Sequence, residues 1–156
     1  MPEKILVIGI GNDFRCDDKI GLDVVRVLRE KNIPKIKILE ESGEGISLME
    51  IWKNAESVFL IDAVSSNAEP GTIHRIDVHQ QKIPKSFFHS STHQFGVAEA
   101  VEISRVLKHL PTQLIIYCIE GKNFSMGTDV TPAVNDAGFR VVDLITVESR
   151  TNKVKI

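Results

Sequence analysis

Residues 5–21 of this 156-residue chain read Ile5-Leu-Val-Ile-Gly-Ile-Gly-Asn-Asp-Phe-Arg-Cys-Asp-Asp-Lys-Ile-Gly21, and their reading decides the fold. An unbroken apolar run over residues 4–9 predicts a strand buried on both faces, the kind found in parallel sheets covered by helices. It ends in two glycines, expected to let the chain turn tightly, then an asparagine and an acidic pair. Beyond them Ile20, Val24, Val27 and Leu28 recur at helical spacing, with Asp23, Arg26, Arg29 and Glu30 opposite. Sites in such sheets lie where strands end and helices begin. Asp17 and Asp18 therefore stand at the mouth of the sheet, as a cap of the helix or as half of a site.

The same alternation continues along the chain. Residues 35–39 predict a short strand and residues 40–45 a flexible acidic loop, before Leu48, Ile51, Trp52 and Ala55 mark a short helix. Residues 57–63 are a second strongly apolar strand whose Asp62 stands at the carboxyl end. Residues 72–78 predict a further strand at an edge. A polar loop then leads to a helix over residues 92–110, with Ser90 or Ser91 as cap and Val97, Ala100, Ile103, Leu107 and Leu110 on its apolar face. Residues 114–119 are the last strand. Thr131-Pro132 opens a final helix buried through Val134, Ala137, Val141, Leu144 and Ile145. This order predicts one α/β domain over residues 1–156, a three-layer α/β/α sandwich with a mainly parallel sheet of about five strands. Patterning does not order those strands.

Charge and composition narrow the partners. A formal net charge of −2 gives no reason to expect nucleic acid or an anionic membrane surface. No apolar run approaches the ~20 residues of a membrane-spanning helix. Cys16 and Cys118 are too few for a disulfide framework and fit a reducing cytoplasm.

Gly9-Ile-Gly11 after a strand invites a dinucleotide reading, but Phe14 stands where the third glycine belongs. A phosphate at that helix start would also face Asp17 and Asp18. Cys16 beside those acids is poorly placed for a thiolate nucleophile, Cys118 reads as core, and no G-x-S-x-G elbow occurs. Asp18, Asp62 and His93 instead all fall at strand-to-helix transitions. Taken singly each is explained by capping or surface exposure. Together they offer two carboxylates and an imidazole, donors suited to zinc, nickel, manganese or iron. His89 precedes the helix and is not expected to pair with His93; His74, His79 and His109 read as surface residues.

Gly9-x-Gly11-Asn12 followed by Asp17-Asp18 and Gly21 resembles the G-x-G-N-x(4,5)-D-(D/E)-x-x-G opening of the hydrogenase maturation proteases. Ile61-Asp62-Ala63 is similar to their strand ending in Asp-Ala. Ser91-Thr-His93 with Gly96-Val-Ala-Glu-Ala100 resembles their S-x-H-x-x-G-x-x-E helix start. Ile119-Glu120 and Thr131-Pro132-Ala-Val134 resemble their G-I-E-P and L-S-P-x-V ending. The resemblance implies an α/β/α cytoplasmic endopeptidase that removes the C-terminal extension of a [NiFe]-hydrogenase large subunit precursor after nickel insertion. It also implies that Asp18, Asp62 and His93 are the catalytic, metal-contacting trio, meeting nickel that the substrate's cysteines hold. In isolation another divalent ion such as zinc could occupy the same donors. The chain departs from the pattern at Lys19, at Glu41-Ser-Gly-Glu44 in place of a D-G-G-T-like loop, and at Gly121 in place of proline. A metal-dependent peptidase with another substrate, and a non-catalytic protein that senses metal in a partner, are the alternatives.

Overall fold

The structure, a computed structural model, describes residues 5–88 and 93–151. The opening run forms strand β1 (Ile5–Ile10), buried at every position. The other strands are β2 (Ile36–Glu41), β3 (Ser57–Val64), β4 (Ile73–Asp77) and β5 (Gln113–Glu120), in the sheet order β2-β1-β3-β5-β4. β1, β2, β3 and β5 run parallel, and β4 lies antiparallel along β5. Composition accounts for the order. The apolar strands β1, β3 and β5 take the interior, while β2 and β4, which mix polar and apolar residues, take the two edges.

Four helices cover the two faces among the described residues: α1 (Ile20–Glu30), α2 (Gly45–Trp52), α3 (Val97–Leu107) and α4 (Pro132–Thr151). Helices α1 and α4 pack over Val7, Phe59, Ile61, Tyr117 and Ile119. Helices α2 and α3 pack over Ile8, Leu60, Ile116 and Cys118, around the fully buried Trp52. The expected three-layer α/β arrangement is therefore the observed one.

Local expectations are corrected in several places. Gly9, Gly11 and Gly21 serve close approach rather than a turn, since the glycines with positive φ lie elsewhere in the chain. A Cβ on Gly9 would strike the Gly21 carbonyl and come within 2.6 Å of a Val25 methyl. One on Gly21 would strike the carbonyls of Ile10 and Ile61, so α1 can lie against β1 and β3 only because these side chains are missing. Neither Asp17 nor Asp18 caps α1; they sit in a 3₁₀ turn, Cys16–Lys19, that precedes it. The acidic loop is shorter than expected, because Glu40 and Glu41 complete β2 and the Glu44 carboxylate accepts from Ile46 N and Ser47 N to cap α2.

Helix α3 begins at Val97, after His93 rather than before it, with the Glu99 carboxylate accepting from Gly96 N at 2.8 Å. His89, Ser90, Ser91 and Thr92 lie outside the described residues. Its buried face is also rotated from the expected one. Val97, Ala100, Val101 and Ser104 point inward, whereas Ile103 and Leu107 are exposed. Leu144 of α4 is likewise exposed, its place taken by Val142.

Candidate active site

The chain leaves β1 through α1 to reach β2 on one side, then passes through α2 on the opposite face to reach β3 on the other. The carboxyl ends of β1 and β3 are thus a topological switch point, where diverging connections leave a crevice. A small cleft, open to solvent, occupies that place, and Arg15, Asp18, Ser42, Gly43, Asp62 and His93 are among its lining residues. The three side chains singled out from the sequence therefore share one cleft, delivered by the turn after β1, the end of β3 and the segment before α3.

Asp62 is nearly buried, and its Oδ1 accepts from Ala63 N at 2.8 Å. Burial, reinforced by the negative charge of Asp18, pushes its carboxyl well above the usual carboxylate range. Burial also raises Asp18, against the opposing charges of Arg15 and His93. The Arg15 guanidinium stands 3.7 Å from Asp18 Oδ2. His93 Nε2 lies 3.2 Å from the Ser42 carbonyl, a contact in which the nitrogen must be the donor.

Among the described residues no group of three or more His, Cys, Asp and Glu side chains is drawn close enough to hold an ion. The donor chemistry nonetheless fits a divalent cation. Two carboxylates on one cleft repel each other and lose solvation, and a cation between them would relieve both penalties.

The neighbouring residues separate into clear roles. Asp17 is fully buried and faces away from the cleft. Its Oδ2 accepts from Lys122 N, Asn123 N and Thr131 Oγ1 at 2.8–2.9 Å, and its Oδ1 from Thr131 N at 2.7 Å. Lys19 donates from Nζ to the Thr128 carbonyl at 3.1 Å and does not line the cleft, so its charge tethers a loop. Gly121 N donates to the Val64 carbonyl at 2.9 Å, a bond that the proline of the G-I-E-P pattern could not make. Glu41 is not a cleft residue; Ser42 and Gly43 are. Cys16 and Cys118 are free and buried, and burial raises the Cys118 thiol well above its ordinary value. His74 is half-buried rather than a surface residue, 3.3 Å from Glu120 and packed on Phe87. The cleft residue that sequence reasoning missed is Arg15, whose signal was its position one turn before Asp18.

The chain as a whole is similar to a set of known proteins. A family model described as HycI, hydrogenase maturation protease, matches residues 22–148. The hydrogenase 2 maturation protease of Escherichia coli is 27% identical over 135 residues, covering 84% of this chain and 81% of the relative. The coenzyme F420 hydrogenase subunit delta of Methanothermobacter thermautotrophicus is 31% identical over 165 residues, covering 96% and 97%. Among solved structures, the hydrogenase maturating endopeptidase HybD from E. coli superposes with a TM-score of 0.73 at 23% identity, covering 96% of this chain and 93% of that one. An endopeptidase from E. coli solved in solution gives 0.80 at 24% identity, with the same coverage. These two superpositions establish the fold.

Proposed function

The chain belongs to the hydrogenase maturation protease family, a family of endopeptidases, and we propose that it removes the C-terminal extension of a [NiFe]-hydrogenase large subunit precursor once nickel is in place. The observation that carries this reading is the convergence of Asp18, Asp62 and His93 on one cleft at the switch point of the sheet. The nickel is part of the substrate, held by the precursor's cysteines, and the trio docks onto it. A divalent ion so placed polarises a carbonyl or activates water.

The chain's own residues supply the rest. His93, oriented by the Ser42 carbonyl, and Asp18, beside Arg15, both present donors to the cleft. Asp62, whose proton affinity is raised most by burial, suits the task of accepting a proton from the attacking water. Ser42 and Gly43 line the cleft and flank the path for the precursor's tail. The reaction belongs to the cytoplasm, where Cys16 and Cys118 stay reduced.

The test is a processing assay on nickel-loaded and nickel-free precursor. Wild type should cleave only the loaded form. Asp18→Asn, Asp62→Asn and His93→Ala should each lower the rate by roughly a hundredfold or more. Wild-type rates in all three variants would sink the assignment. Cleavage of nickel-free precursor would identify a peptidase of broader substrate range, and tight binding without loss of the tail would identify a metal-sensing binding protein.

A further inference from the structure

Arg15 lines the cleft, yet the docking trio gives it no task. Its backbone is held from both sides. Arg15 N donates to the Asn12 carbonyl, and Asp18 N donates to the Arg15 carbonyl at 3.0 Å. Next to it, Cys16 N donates to the Gly127 carbonyl and Gly127 N to the Phe14 carbonyl, both at 2.9 Å. Cys16 is held at φ +47°, a left-handed conformation that non-glycine residues rarely adopt. Its sulfur is buried, and a Cβ on Gly127 would stand 2.9 Å from it, so the turn is packed in place. The side chain thus projects from a fixed turn into the cleft that also holds Asp18, Asp62 and His93. Its 3.7 Å separation from Asp18 is longer than a hydrogen bond, a charge contact rather than a bidentate clamp.

We propose that the Arg15 guanidinium donates to the oxygen of the scissile peptide carbonyl and keeps that contact on the carboxylate that cleavage leaves. The inference rests on the endopeptidase reading above. In that reaction water adds to the carbonyl carbon and the π electron pair moves onto oxygen. The C–N bond then breaks, both protons of the water pass to the nitrogen, which leaves as an ammonium, and the retained chain ends in a carboxylate. Negative charge therefore grows on one oxygen and ends shared between two, the planar pattern a guanidinium matches.

The test is single-turnover cleavage of nickel-loaded precursor by wild type, Arg15→Gln and Arg15→Lys, with thermal melting of each. Wild-type cleavage in the same series reports on the endopeptidase reading, so its failure there is distinguishable from a failure at Arg15. The expected result is a fall of about 10²–10³-fold in the Gln variant at saturating precursor, the size seen when one oxyanion donor is removed. Half-saturation should stay within about threefold, and the Lys variant should recover at least tenfold over Gln. A Gln variant within threefold of wild type would overturn the proposal. So would a loss confined to half-saturation, or a Lys variant no better than Gln, since either outcome assigns Arg15 to docking alone. If the Gln variant melts below the assay temperature, Arg15→Met takes its place in the series with the same thresholds.

Discussion

Asp17 and Asp62, both buried, are driven in opposite directions, and the difference lies in what surrounds each oxygen. Burial pushes Asp17 up, but the donors of Lys122, Asn123 and Thr131 outweigh it and hold the group below its ordinary value. Asp62 is buried with a backbone donor at Ala63 and the charge of Asp18 nearby, so it is raised. A raised carboxyl binds more protons folded than unfolded. Stability is therefore full below the unfolded value and falls as pH climbs from there through the folded one. Asp62→Asn keeps the Ala63 bond and removes that penalty. Its denaturant midpoint should exceed that of wild type at pH 7, with the advantage vanishing toward about pH 4, where an ordinary carboxyl titrates. A midpoint at or below wild type at pH 7 would show that Asp62 carries no stored repulsion. The same substitution is expected to abolish processing, the exchange of stability for function common in active sites.

Element by element, what the sequence disclosed depended on whether apolar residues alone do the packing. The runs of β1, β3 and β5 are mostly apolar and almost wholly buried, and their reading matches the structure to within a residue or two. Helix α3 was misread because a polar residue sits in its core. Ser104 is fully buried and accepts from Trp52 Nε1 at 3.0 Å, so the helix turns Val101 and Ser104 inward and leaves Ile103 outside. A hydrophobic period cannot see a serine that replaces an apolar contact with a hydrogen bond. Ser104→Ala strands the indole N–H without a buried partner and should cost about 1–3 kcal/mol. Ile103→Ala removes a largely exposed side chain and should cost less than about 1 kcal/mol. Urea unfolding of the two variants decides the face, and the reverse ranking would restore the face read from the sequence. The glycines were misread for a related reason: Gly9 and Gly21 touch residues on other elements, which no local turn rule anticipates.

Across the whole molecule, the cleft exists because the sheet order sends α1 and α2 to opposite faces, a fact no single segment contains. The sequence placed Asp18, Asp62 and His93 at strand-to-helix transitions. Their meeting in one cleft needed the order β2-β1-β3 as well. The loops around that cleft are then locked to one another. Arg26 bridges Asp13 and Glu40, joining the turn after β1 to the end of β2. Lys19 and Asp17 fasten the 3₁₀ turn to residues 122–131, more than a hundred positions along the chain. Asp17→Asn turns one acceptor oxygen into a donor facing N–H groups and should cost about 2–3 kcal/mol at pH 7, the worth of a hydrogen bond to a charged group. Because the Asp17 carboxyl is lowered in the folded state, its contribution is complete above the unfolded value and is lost as pH falls through the folded one. The gap between variant and wild type should therefore narrow below about pH 4, the opposite of the trend at Asp62. Hydrogen exchange adds a local readout: the amides of Lys122, Asn123 and Thr131 should lose protection in the variant while those of β1 and β3 keep theirs. Uniform loss across the sheet, or no gap at pH 7, would show that the latch does not hold this loop against the site.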